Sequence, residues 1–144
     1  MRNLAILGAA LLVAGAAACV NSGTAAAKDD SASGASAEIE SAQAEAAAGV
    51  KNQLPVQIDK VTTLQDVSAD GATLINRYVL AVDASKMNLA VFADKMKTQL
   101  KGICDQGQTA AIISHGGSYR YVFKSTDDRD LGDFLIDKAA CASQ

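Results

Sequence analysis

The sequence is short of the side chains on which many catalytic and metal-binding sites depend. Its 144 residues include no tryptophan, one proline and one histidine, and aromatic residues make up 4% of the chain. The single histidine, His115, has no partner at a spacing that a catalytic site or a metal site would require. His115 is more simply interpreted as a residue near a helix C-terminus, where a cation is mildly favoured.

Motifs typical of enzymes are missing as well. His115-Gly116-Gly117 is similar to the oxyanion loop of lipases and esterases, but no G-x-S-x-G nucleophile elbow accompanies it. No phosphate-binding glycine loop or nucleotide fingerprint occurs. The acidic cluster at residues 127–133 lacks the ligand order of an EF-hand and is typical of a charged turn. We therefore predict a protein that is not an enzyme, with no catalytic residue, no metal ligand and no cofactor.

An excess of positive charge is also missing, since the formal net charge is −3. Nucleic-acid binding requires clustered lysine and arginine, and the basic residues of this chain are scattered. Lys95, Lys97 and Lys101 come nearest to a basic stripe, and their spacing indicates the solvated face of a helix. We predict that nucleic acid is not a partner.

The N-terminus does contain an apolar run, from Leu4 to Val20, directly behind a short segment with Arg2. This pattern is typical of a signal peptide, and the high alanine and glycine content makes a permanent transmembrane helix the weaker alternative. Residues 16–19 read Ala-Ala-Ala-Cys and fit a lipobox, although a leucine is usual in place of Ala16. Cleavage there would leave Cys19 as a lipidated N-terminus.

A second cleavage site remains open. The ordinary signal peptidase could cut after Ala27, and the mature protein would then begin at Lys28 and be soluble, either periplasmic or secreted. On the lipoprotein interpretation, residues 1–18 are the signal peptide, 19–36 are a flexible tether and 37–144 are a single domain. The tether is rich in serine, glycine and alanine and cannot bury enough apolar surface to order itself.

The three cysteines fit an exported protein. Cys19 is either lipidated or removed, which leaves Cys104 and Cys141. The oxidising space outside the inner membrane would join these two in a disulfide, and two separate buried thiols are the alternative.

Periodicity predicts a helix and then a hairpin in the first half of the domain. The helix runs from about Ala37 to Gln53, and its apolar stripe is mostly alanine, so it is expected to dock weakly. Strands at 61–69 and 72–82 are joined by Asp70-Gly71, the dipeptide of a type I′ turn. The second strand is apolar on both faces, which predicts a central strand covered on both sides.

The second half predicts two helices and another hairpin. A helix at 86–101 is stopped by Gly102, and a short helix follows at 109–115. Strands at 119–124 and 131–136 complete the pattern. The aromatic side chains of the strands are interpreted first as parts of the core, and a partner-binding face is the alternative; they are Tyr78, Tyr119, Tyr121 and Phe123. We predict an α+β fold in which an antiparallel sheet of about four strands, in two hairpins, packs against helices with one disulfide.

The order of these features over residues 54–141 resembles a group of small exported bacterial domains, and in particular the AspS-like pilotins of type II secretion, which are α+β outer-membrane lipoproteins. The positions that carry the resemblance are Leu54-Pro55, Ile58-Asp59, Thr62-Thr63-Leu64, Tyr78 in the hairpin, Cys104 after a helix, Gly117-x-Tyr119-x-Tyr121 and Cys141.

The resemblance implies a protein-binding accessory factor that binds the C-terminal segment of a secretin and escorts it to the outer membrane. The membrane anchor would be a lipid on Cys19, and Val20 stands where some inner-membrane lipoproteins have aspartate. The pattern contains no residue to which secretin binding can be assigned. Two other functions remain open: a soluble inhibitor or protective factor, and a small hydrolase that uses His115.

Overall fold

The structure is a computed structural model that describes residues 31–143. The predicted signal peptide, the predicted lipidation site Cys19 and the alternative cleavage site predicted before Lys28 lie outside the described residues. The domain limits placed at residues 18 and 36 stay predictions, and the first described helix begins at Ser31, within the segment predicted as a tether.

The described chain alternates helices with short runs of strand. Two 3-10 turns, Ala84–Lys86 and Gly102–Asp105, flank the second helix. The elements are α1 (Ser31–Lys51), β1 (Val56–Gln57), β2 (Thr62–Asp70), β3 (Thr73–Leu80), α2 (Leu89–Lys101), α3 (Gly107–Ser114), β4 (Ser118–Ser125), β5 (Asp130–Ile136) and α4 (Lys138–Ala142).

The strands form one sheet in the order β1-β2-β3-β4-β5. All neighbours are antiparallel except β3 and β4, which are parallel and pair Thr73 with Ser118 at one end and Leu80 with Ser125 at the other. The predicted α+β class and the disulfide are confirmed, but the sheet has five strands instead of four and is mixed instead of antiparallel. Two hairpins separated by helices allow either arrangement, and a crossover that contains α2 and α3 makes the parallel one possible.

The turn of the first hairpin lies one residue later than expected. Asp70 pairs with Thr73, so the two loop residues are Gly71 and Ala72. Gly71 has a φ of 54°, and Ala72 has no positive φ. A glycine at the first loop position with positive φ is the type II′ pattern and not the type I′ pattern expected from Asp-Gly.

The helices cover one face of the sheet. Along β3 and β4 the side chains alternate, so those that share a face with Tyr78 and Phe123 point towards the helices. They form the main core together with buried residues of α2, α3 and β5. The buried members are Leu80, Leu100, Ile113, Tyr119, Phe123, Leu131, Phe134 and Ile136.

Among residues 31–143, no helix packs on the opposite face, which we term the open face. Asp66 and Arg77 form an ion pair at 2.8 Å between β2 and β3. Arg120 Nε donates to Asp133 Oδ1 at 2.8 Å between β4 and β5. β3 is thus the central strand, as predicted, but helices cover it on one side instead of two, and Ile75 is buried on the open face among neighbouring strands.

α1 docks through an amide as well as through small apolar residues. Gln43 is 1% exposed, and its Nε2 donates to the carbonyl oxygens of Ala72 at 3.3 Å and Ser118 at 3.2 Å. Ala47, one turn further on, is also buried, whereas Ala42 and Ala46 of the predicted stripe are exposed. The buried stripe is therefore rotated by about one residue from the predicted one.

The C-terminal part of the domain ends in a helix that the sequence did not indicate. Asp137 caps α4 by accepting from Ala140 N at 2.8 Å. Cys141 in this helix is bonded to Cys104 in the turn after α2, with a Cα–Cα distance of 5.7 Å. Among residues 31–143, no helix has the length and apolar character needed to cross a membrane.

Candidate protein-binding surfaces

His115 lies at the C-terminal end of α3. It is exposed directly after α3, and its Nδ1 lies 2.8 Å from the carbonyl oxygen of Ala111 and 3.1 Å from Ser114 Oγ. Gly116, with a φ of 96°, then turns the chain towards β4. These contacts give the His115-Gly116-Gly117 segment the role of a helix end and a turn.

The acidic cluster forms the turn between β4 and β5. Asp127 pairs with Arg129 at 3.1 Å and accepts a hydrogen bond from Ser125, which is buried. Lys124 lies 2.8 Å from Asp128, and this hydrogen bond raises the pKa of the lysine. Within the described part of the chain, no group of three or more histidine, cysteine or acidic side chains could hold a metal ion.

Two of the openings on the described surface could receive part of another protein. The first, which we term the aromatic groove, has a volume of about 260 Å³ and lies on the helical face between β2–β3 and α2. It is lined by Asp59, Thr62, Tyr78, Leu80, Phe92, Met96, Gln99, Leu100, Tyr121 and Phe123.

Stacked rings form the floor of the aromatic groove. The ring centroids of Tyr78 and Phe123 are 5.1 Å apart, and those of Tyr78 and Tyr121 are 6.4 Å apart. Phe92 of α2 meets Phe123 edge to face at 5.6 Å. Burial raises the pKa of both tyrosines, and for Tyr121 the neighbouring tyrosines add to the effect. The rings therefore stay neutral and give the groove a polarizable, apolar floor.

The second opening, which we term the β5 cleft, has a volume of about 300 Å³. Asp133, Phe134, Leu135 and Ile136 all line it, together with side chains of α2, the turn after it and the C-terminal segment. Since consecutive strand residues point to opposite faces, a space that touches four of them must lie along the strand's edge. The remaining lining residues are Lys97, Lys101, Cys104, Ala140 and Ser143.

Some residues of these surfaces, the aromatic side chains and the lysines of α2, were singled out from the sequence, but the surfaces themselves were not. Lys97 and Lys101 are exposed on α2, as the periodicity predicts, yet they also form one wall of the β5 cleft. Leu135 was not singled out from the sequence, and the structure shows it to be 50% exposed on the same face of β5 as Asp133. Only the strand order shows that β5 is at the edge.

Comparison with known sequences gives no match: no protein-family model fits the chain, and no curated protein is significantly similar to it.

Comparison with solved structures identifies similar folds. The pilotin EpsS of the Vibrio vulnificus type 2 secretion system has a TM-score of 0.64 and 14% identity, over 76% of this chain and 96% of that one. The type II secretion pilotin AspS of Vibrio cholerae has a TM-score of 0.60 and 18% identity, over 76% and 97% of the two chains.

A third similar structure comes from Pseudomonas aeruginosa and has the provisional description of a secreted protein. It matches with a TM-score of 0.64 and 16% identity, over 74% of this chain and 96% of its own. The resemblance to type II secretion pilotins that the sequence indicated is therefore confirmed at the level of the fold. Identities of this size show a shared fold and leave the function to be argued separately.

Proposed function

We propose that this protein is a pilotin-like accessory factor, exported to the cell envelope, that binds a segment of a secretin and escorts it to the outer membrane. The observation that carries the proposal is the fold: two type II secretion pilotins match this chain over 96% and 97% of their own lengths. A match of that extent covers the whole pilotin domain and not one common motif.

The described side chains support a binding role over a catalytic one. His115 and the acidic cluster, the main candidates for chemistry, hold a helix end and a turn. The aromatic groove and the β5 cleft instead combine apolar side chains with a few polar ones, as sites for peptide segments do.

The proposed escort depends on a lipid at Cys19. The lipid would hold the domain at the membrane while its binding surfaces remain open to the partner. A single acyl chain binds membranes only reversibly, whereas the several chains of a bacterial lipoprotein anchor stably.

The experiment that tests this function is Cys19→Ser in the full-length protein, with Ser22→Ala as the control. We expect the wild type and the control to fractionate with the outer membrane and Cys19→Ser to become soluble. We also expect the secretin of the same cell to be lost from the outer membrane in Cys19→Ser. A secretin that reaches the outer membrane equally in all three strains would contradict the proposal.

A soluble inhibitor or protective factor is the second candidate function. It is favoured by the similar fold of the Pseudomonas aeruginosa protein described as secreted. The mass of the mature protein separates the two functions. A lipid-modified N-terminus at Cys19 supports the escort, and an unmodified N-terminus at Lys28 supports the soluble factor.

A further inference from the structure

We propose that the β5 cleft binds its partner as an added, extended strand along β5, and that an acidic side chain of this segment pairs with Lys97 and Lys101. The inference rests on the proposed function, because it specifies how the captured segment is held. The occupant is thus an extended segment of a partner protein that carries a carboxylate.

The backbone of β5 is free to accept another strand. Within residues 31–143, β5 is the last strand of the sheet and pairs with β4 alone. Among the described residues, no backbone group of Asp130–Ile136 forms a hydrogen bond outside the sheet. Half of the N–H and C=O groups of an edge strand point away from its neighbour, so β5 presents a row of donors and acceptors to the cleft.

This edge also lacks most of the features that usually prevent strand addition, and the one charged side chain from Gly132 to Ile136, Asp133, is paired with Arg120 of the neighbouring strand. The pairing of β4 and β5 shifts register only near Lys124, at the start of β5, and is regular from Gly132 to Ile136. That regular stretch contains no proline and no lysine. At the opposite edge of the sheet, by contrast, β2 pairs with the short strand β1 and has an irregularity between Leu64 and Asp66.

The positive charge of two lysines in the cleft favours an occupant that carries a carboxylate. Lys97 and Lys101 are one helical turn apart, both are exposed, and neither lies within 4.0 Å of a described carboxylate. The acid that lines the cleft, Asp133, is already held by Arg120, whose hydrogen bonds lower the pKa of that carboxyl. A carboxylate on the incoming strand would therefore meet two cations that have no competing partner.

The shape of the cleft fits an extended chain. Four consecutive β5 residues line it, which corresponds to roughly 13 Å of strand. Cys104 and Ala140 form apolar walls, and the disulfide holds α4, which carries Ala140, to the turn after α2. The aromatic groove offers no strand edge and no cation among its lining residues, so it does not fit this occupant.

The test uses the oxidised domain and a synthetic peptide, acetyl-Thr-Val-Glu-Val-Glu-Val-Thr-amide. We expect the peptide to shift the backbone amide signals of residues 130–136 and to slow their hydrogen exchange. The same peptide with lysine in place of glutamate should bind about tenfold more weakly, because it places like charges beside the cleft. A glutamate peptide with alternate amides N-methylated cannot pair as a strand and should not protect β5.

Two double variants change the net charge of the protein by the same amount, one inside the cleft and one outside it. Lys97→Glu with Lys101→Glu should weaken binding of the glutamate peptide by about tenfold or more, since attraction becomes repulsion. Lys95→Glu with Lys51→Glu changes the net charge equally at lysines that do not line the cleft, and binding should stay within about twofold. All four positions are exposed, so the fold should persist in both variants.

Three results would overturn the inference: equal binding of the glutamate and lysine peptides, signal shifts centred on Tyr78 and Tyr121, or protection of β5 by self-association without peptide.

Failure of this inference can be distinguished from failure of the proposed function. If the peptide does not bind but Cys19→Ser still mislocalises the secretin, only the strand mode is wrong. If the peptide binds as expected but the secretin does not depend on Cys19, the escort is wrong.

Discussion

Gly117 stands where α1, α3 and β4 meet. A Cβ atom at this position would lie 3.0 Å from the carbonyl oxygen of Ile112 and 3.0 Å from Ile39 Cγ2, and closer still to the Ile112 side chain. The absent side chain is what allows the two helices to approach the start of β4.

We expect Gly117→Ala to lower the free energy of unfolding by about 2 kcal/mol, as overpacking in a filled interior does. Gly49→Ala is the control, because nothing lies within 4 Å of a Cβ at that position in α1. That change should stabilise the protein by about 0.5–1 kcal/mol through helix propensity. Urea denaturation measures both, and equal effects of the two substitutions would contradict the assigned contact.

At the scale of elements, α1 shows how a weak apolar stripe can still dock. Its buried positions include only small or medium side chains, but the Gln43 amide connects it to both hairpins through Ala72 and Ser118. The carbonyl of Ala72 also accepts from Ser118 N at 3.0 Å, so it keeps a partner when the amide is absent.

Gln43→Leu keeps most of the volume and removes both hydrogen bonds. We expect it to reduce stability by about 1–3 kcal/mol, because the Ser118 carbonyl loses the amide in a buried place. Hydrogen exchange should accelerate in α1 more than in the sheet. Gln53→Leu, at an exposed glutamine just after α1, is the control. An unchanged exchange rate in α1 would show that the amide does not hold the helix.

The elements that the sequence predicted are those with local causes. The first hairpin, the helix that ends at Gly102 and the alternation around Tyr121 all depend on neighbours within a few residues. β1 (Val56–Gln57) and α4 (Lys138–Ala142) were not predicted, because elements this short do not show a strand or helix periodicity in the sequence. The parallel pairing of β3 with β4 depends on contacts between residues 45 positions apart, as in the hydrogen bond between Thr73 and Ser118.

The candidate surfaces were predictable only in part, for the same reason. The exposed lysines of α2 were predicted from periodicity, whereas the exposure of Leu135 is known only from the structure. Their meeting at one cleft follows from the position of β5 at the edge and from the packing of α2 beside it, neither of which is encoded in a short window. Tyr121 was interpreted first as core, and Tyr78 and Tyr121 are half-buried members of both the core and the groove.

At the scale of the whole molecule, the disulfide joins the two ends of the C-terminal half. Cys104 and Cys141 are 37 positions apart, and closing a loop of that length contributes on the order of 4 kcal/mol in the chain-entropy model. For a domain without tryptophan, whose core contains few large aromatic side chains, this is a large fraction of a typical stability.

We expect Cys104→Ser with Cys141→Ser to lower the urea midpoint strongly and to make α4 exchange its amides faster. The wild type treated with a thiol reductant should reach the same midpoint, which provides the control for the serine side chains. A wild-type midpoint that does not change on full reduction would contradict a stabilising role for this bond.

The parallel pairing of β3 with β4 affects the order in which the sheet can form while the chain is synthesised from its N-terminus. The first hairpin is complete once Leu80 has appeared, but β3 has no second neighbour until Ser118 to Ser125 arrive. During that interval β3, the future middle of the sheet, is a bare apolar edge of the kind that attracts other chains. Synthesis therefore passes through a stage in which the strand most open to other chains is one that the finished sheet covers on both edges.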